Sequence, residues 1–110
     1  MVREQTLVFR AEKRDHFVAT SECCLMVCAA VDMDWNAWWE HLIDAEQLLI
    51  DTGFVDFTCA RLVARAAAYA DKAGRNSDAR RAYALALTIW EKLGWEDEIA
   101  QTQEQIEQLR

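Results

Sequence analysis

Proline is absent from the 110-residue chain, and glycine occurs only three times. Proline breaks helix interiors and glycine weakens them, so their scarcity leaves long helices as the natural reading. Alanine-rich stretches such as Ala64 to Ala73 point the same way. Long apolar runs are missing too. The longest, Cys23 to Val31, is nine residues and too short to span a bilayer. Near the start, Arg3, Glu4 and Arg10 interrupt any signal-peptide core. Positive charge is in deficit: 12 Lys and Arg stand against 19 Asp and Glu, a net charge of −7. That balance opposes nucleic-acid binding, which needs a field able to displace counterions from phosphates, and it disfavours anionic membrane surfaces.

Enzyme signatures are equally scarce. The three glycines are scattered, so no phosphate-cradling loop exists, and there is no GxSxG nucleophile elbow. The two histidines, His16 and His41, form no HExxH pair, and neither has a glutamate three residues before it, as a di-iron bundle would require. Four cysteines, with Cys23 and Cys24 adjacent, do not form a secreted disulfide framework; reduced thiols in a cytoplasmic setting are expected. Cys24 and Cys28 lie one turn apart and Cys59 lies on a later helix, a set that could supply a thiolate metal site or a redox switch. Adjacent helical residues point about 100° apart, and the expectation is small apolar cysteines at tight helix contacts, with no metal and no cofactor.

Hydrophobic residues make up 53% of the chain, enough for a buried core in one domain, 1–110. The chain also echoes itself. At a shift of 41 residues, Gly53 meets Gly94 with an aromatic following each (Phe54, Trp95), and Asp15, Asp56 and Asp97 align. Leu7, Leu48 and Ile89 align across three copies, as do pairs of alanines such as Ala29 with Ala70 and Ala45 with Ala86. A fixed period of this size signals stacked supersecondary units.

Each unit reads as two antiparallel helices. First helices are expected at about Asp15 to Asp32 and Asp56 to Ala73, second helices at about Trp35 to Asp51 and Ser77 to Leu93. Trp35, Trp38, Trp39, Leu42, Ala45 and Leu49 trace one face at three- and four-residue steps. Asp34 and Asn76 stand where N-caps belong, and Gly53, Gly74 and Gly94 where helices end. The units are then 15–53 and 56–94, followed by a capping helix at 96–110 with Ile99, Ile106 and Leu109 on its inner stripe. Residues 2–12 read as the end of an earlier unit's second helix. Most of the five tryptophans are expected in the core; any left exposed is a candidate interaction hot spot.

The stretch AYADKAGRNSDARRAYALALTIWEKLG, Ala68 to Gly94, resembles a tetratricopeptide repeat. Gly74 falls at the inter-helix turn, Ala79 opens the second helix, and Tyr83 and Ala86 follow. The longer period is similar to the roughly 40-residue variant of that family. The resemblance implies an all-α fold of antiparallel helix-turn-helix repeats, about two and a half of them plus the capping helix, as a fragment of an α-solenoid. The first unit departs from it: Met33 replaces the turn glycine and Trp38 replaces Ala79.

By that resemblance the first helices line a groove. Arg61, Arg65 and Lys72 lie at i, i+4 and i+11 on one face of the second unit's first helix, and arginine forks suit carboxylates. The corresponding stripe in the first unit includes Thr20 and Val27. A solvated charge face, or pairing with Asp56 and Asp71, is the plainer reading of the same residues. The expected function is a non-catalytic protein-interaction module binding a protein or peptide partner, possible as the C-terminal part of a larger regulatory protein. The alternatives are a helical oligomerisation domain forming homo-oligomers, or a helical bundle with a small-molecule or metal site.

Overall fold

The backbone takes a left-handed conformation at four positions: Met33 (φ 59°), Gly53 (φ 66°), Gly74 (φ 79°) and Gly94 (φ 73°). Each follows the last turn of a helix, and after α1, α3 and α4 the next helix begins within two or three residues. The computed structural model describes residues 18–53 and 56–109, and these form five helices with no strand. They are α1 (18–31), α2 (Trp35–Thr52), α3 (Phe57–Lys72), α4 (Asn76–Leu93) and α5 (Glu96–Gln108). The all-α class holds, with the ends of α2, α3 and α4 within one residue of expectation and α5 ending at Gln108, short of the expected 110; the expected start of α1 at Asp15 lies outside the described residues, as do residues 2–12 and Phe54.

The turns themselves repeat at 41 residues. After α1, Met33 N–H donates to the Ala30 carbonyl and Asp34 N–H to the Ala29 carbonyl. After α3, Gly74 N–H donates to Asp71 and Arg75 N–H to Ala70, each exactly matched in type by its counterpart 41 residues earlier. The turn after α4 is built alike, with Gly94 N–H reaching Glu91 and Trp95 N–H reaching Trp90. These paired bonds satisfy carbonyls that a helix end otherwise leaves orphaned.

Asp34 caps α2 as expected, its carboxylate accepting from Ala37 N–H at 3.2 Å. Asn76 does not cap α4. The cap position falls on Arg75, the residue 41 after Asp34, and Asn76 is already the first helical residue. The three-residue connection through Gly74 matches the one before α2, so α4 starts at the position equivalent to Trp35. The aspartates aligned by the repeat also divide in role: Asp56 caps α3 through Thr58 N–H, whereas Asp97 sits inside the first turn of α5.

The hairpins are α1–α2 and α3–α4, α5 packs on α4, and contacts also join helices two apart. Thr20 on α1 meets Cys59 on α3 (Oγ1 to Sγ, 3.8 Å). On the other layer Trp39 on α2 donates through Nε1 to Asp78 on α4 at 2.9 Å, and Arg81 on α4 reaches Glu46 on α2 at 3.0 Å. The seam between α3 and α4 is built from small residues, with Ala60, Ala66, Ala67, Ala70, Ala79 and Ala82 all fully buried. Small side chains bring helix axes close, and close packing makes the seam intolerant of added volume. In the first hairpin the indole of Trp38, 0% exposed, stands where the second has Ala79. Trp38 packs edge-on to Trp35 and Trp39, with centroids 5.9 and 5.7 Å away. At the far end α5 turns Thr102 and Leu109 inward, with Ile99 and Ile106 packed against the core, and Arg80 holds the Leu109 carbonyl at 3.0 Å.

Asp78 is the one charged side chain among the described residues that is buried, at 8% exposure. Besides Trp39, it accepts from Arg75 Nε at 2.6 Å, and the Arg75 guanidinium lies 4.9 Å above the Trp35 ring. This carboxylate therefore ties the α3–α4 turn, the start of α4 and the start of α2 together. Its place in the first turn of α4 also sets negative charge against the helix's positive end.

Three stability outcomes follow from this geometry. Asp78→Ala leaves two donors without their acceptor and is expected to lower stability by about 2 kcal/mol, read as a fall in urea midpoint at constant slope. Met33, 67% exposed and left-handed, has little packing to lose, so Met33→Gly is expected to raise stability by about 1 kcal/mol. The reciprocal Gly74→Ala, where no atom lies within 4 Å of the added Cβ, should cost a similar amount through the backbone alone.

Candidate functional site: the outer face of α3

With its core residues Cys59, Ala60, Val63, Ala66, Ala67 and Ala70 turned inward, α3 leaves one continuous stripe facing out. Phe57, Arg61, Arg65 and Tyr69 follow one another at four-residue steps, and Lys72 completes the row. All five are exposed and no carboxylate interrupts them. The three cations expected on one face are thus together. Neither Asp56 nor Asp71 neutralises them: among the described residues no ion pair forms at Arg61, Arg65 or Lys72. Arg75 in the α3–α4 turn and Arg81 on α4 are, by contrast, paired with Asp78 and Glu46.

A shallow recess of about 340 Å³ runs along the first half of this stripe, lined by Phe57, Thr58, Arg61, Leu62 and Arg65. At its N-terminal end the aromatic rings stack. The Phe57 ring lies 5.7 Å from Trp95 at an interplanar angle of 15°, and Trp95 lies 5.2 Å from Trp90 at 27°. Arg61 extends the column, its guanidinium 5.3 Å from the Phe57 centroid. Trp38 and Trp90 are buried and Trp35 and Trp39 half-buried, but Trp95 is 39% exposed. It is the tryptophan left over for an interaction role. Phe57 was not singled out from the sequence, although its position four residues before Arg61 carried the signal.

Thr20 and Val27 lie elsewhere. Both are half-buried on α1; Thr20 faces Cys59 across the α1–α3 seam, and Val27 packs against the core. The same seam holds Cys23, whose thiol meets that of Cys59. Cys59 is drawn below the ordinary thiol value, first by the hydrogen bond from Cys23 and also by Thr20, against the opposing effect of burial. Cys23 is pushed up by that same bond and by burial. These two behave as the small buried residues expected, whereas Cys24 and Cys28 do not: they are exposed on the outside of α1. None of the four joins a cluster of three metal-capable side chains; among the described residues that distinction falls to Glu22, His41 and Asp44.

A second hollow, about 240 Å³, lies between α2 and α4. It is lined mainly by Leu49, Ile50, Ala84, Leu85 and Ile89, and the Glu46–Arg81 pair flanks it. Ile50 is 75% exposed there. It is more apolar than the α3 recess but carries no unpaired arginine. No helix among the described residues is long and apolar enough to cross a membrane. No family model, curated protein or solved structure matches this chain.

Proposed function

We propose that the chain is a non-catalytic protein-interaction module that docks an acidic segment of a partner protein along α3. The observation carrying this reading is the row Phe57, Arg61, Arg65, Tyr69, Lys72, positive and unpaired on a chain whose net charge is −7. Unpaired guanidinium groups beside exposed rings suit a ligand that offers carboxylates and an apolar side chain together. In this reading the carboxylates meet Arg61 and Arg65, and the apolar group rests on Phe57 and Trp95. Surface potentials at physiological salt decay over roughly 8 Å, so the acidic remainder of the chain does not cancel the attraction at contact range. Tetratricopeptide-like units, with α1 and α3 as first helices in one layer, fit the same picture, and the four unbridged cysteines fit a cytoplasmic setting.

A homo-oligomer is a second reading, favoured by the exposure of Ile50 over the α2–α4 hollow and of Ile43 one heptad before it. The two readings separate by surface. If α3 is the docking face, the wild-type protein binds short peptides rich in Glu and Asp with one Phe or Leu, and ignores the same peptides with Lys in place of the acids. Arg61→Glu/Arg65→Glu then weakens that binding by more than roughly tenfold in a fluorescence titration, with the far-ultraviolet circular dichroism unchanged. Equal binding of the two peptide sets, or an unaffected double variant, would overturn the assignment. For the oligomer, light scattering of the wild type should show more than a monomer, and Ile50→Asp should return it to one.

A further inference from the structure

Three chemical departures from the 41-residue correspondence between hairpins converge on one spot. Val63 on α3 and Ala82 and Leu85 on α4 are buried and apolar. Their counterparts 41 residues earlier are Glu22 on α1 and His41 and Asp44 on α2. All three positions change from packing residues to metal-ligand types, and they change together. One such exchange at a helix seam costs little to explain. Glu22 and His41 are half-buried at the seam, where a polar group is unfavourable without a partner, and Asp44 is exposed beside them.

They do meet. One ligand atom from each side chain lies within 4.8 Å of the other two. His41 and Asp44 are i and i+3 on α2 and so share a face, and Glu22 approaches from α1. His41 Nδ1 and Glu22 Oε2 are 2.6 Å apart, with both side chains less than a quarter exposed. From these observations we propose that Glu22, His41 and Asp44 bind one divalent transition-metal ion of the zinc class, which clamps α1 to α2 in the first hairpin.

The donor set selects the ion. An imidazole nitrogen with two carboxylate oxygens suits zinc, cobalt or nickel, whereas calcium and magnesium prefer oxygen alone. Three protein ligands leave the remaining positions to water on the exposed side, where Asp44 lies. Two donors on one such ion sit roughly 3 Å apart when the bonds are about 2.1 Å, so the Glu22–His41 contact must open slightly as the ion enters. The hydrogen bond of the ion-free state thus holds the two donors near their working positions. The sequence reading tested for a glutamate three residues before His41; the carboxylate stands three residues after it, and the third ligand comes from another helix.

The test uses the full chain carrying Cys24→Ser and Cys28→Ser, which removes the exposed thiols as competing ligands. Titration with zinc chloride, followed by calorimetry, should show one ion per chain and a rise in melting temperature that saturates with it. His41→Gln, Asp44→Asn and Glu22→Gln should each weaken binding by roughly tenfold or more. Glu22→Val/His41→Ala/Asp44→Leu, which copies the second hairpin into the first, should abolish binding while leaving the helical spectrum intact. Cobalt should give visible bands without thiolate charge transfer. The proposal is overturned by absence of saturable binding up to millimolar zinc, meaning that Glu22 and His41 form a hydrogen bond only. It is equally overturned if the triple variant binds zinc as well as its parent.

Discussion

A helix that ends on a left-handed residue can reverse direction within three residues, and both hairpins, α1–α2 and α3–α4, depend on that reversal. The pair of hydrogen bonds closing each turn fixes where the next helix begins, and therefore which of its faces meets the previous one. Because the turns after α1 and α3 are built alike 41 residues apart, the faces of α2 and α4 present equivalent positions to their partners. Leu42 and Tyr83, Ala45 and Ala86, and Leu49 and Trp90 are buried as pairs for this reason. Met33 meets the same requirement without glycine, which shows that the turn geometry is imposed by the packing on both sides of it rather than by local preference.

Within that shared frame the two hairpins are filled differently. The second uses alanine on both sides, which brings α3 and α4 close and leaves little space to rearrange. The first places a full indole at Trp38 and a thioether at Met26, where the second has Ala79 and Ala67. A frame that accepts either an indole or a methyl group at one position constrains backbone direction more tightly than side-chain volume. The polar node at Asp78 then joins the two hairpins, since it takes a hydrogen bond from α2 and one from the turn that precedes α4.

Much of this was legible in the residues. Helix ends, the left-handed glycines, the Asp34 cap and the inward stripe of α5 all follow from local chemistry, which acts over a few residues and leaves a periodic trace. Arg61, Arg65 and Lys72 could be grouped because helical spacing alone places them on one face. The displaced cap at Arg75 was also within reach, since the repeat itself maps Asp34 there; the stronger capping tendency of asparagine obscured it. Contacts between helices left no such trace. Nothing in the order of residues announces that Trp39 donates to Asp78, that Trp95 stacks on Phe57, or that Glu22 meets His41, because each depends on how two helices are rotated against each other. Thr20 and Val27 show the same limit in reverse: their register on α1 was right, but the seam with α3 occupies the face they share.

The column formed by Trp90, Trp95 and Phe57 has an optical consequence. Two indoles 5.2 Å apart and nearly parallel, in a chiral fixed arrangement, couple their near-ultraviolet transitions, while the outer one is partly open to solvent. The chain therefore carries, beside the Trp35–Trp38–Trp39 cluster, a second set of coupled indoles next to the start of α3, whose contribution to the dichroism depends on the geometry of that surface.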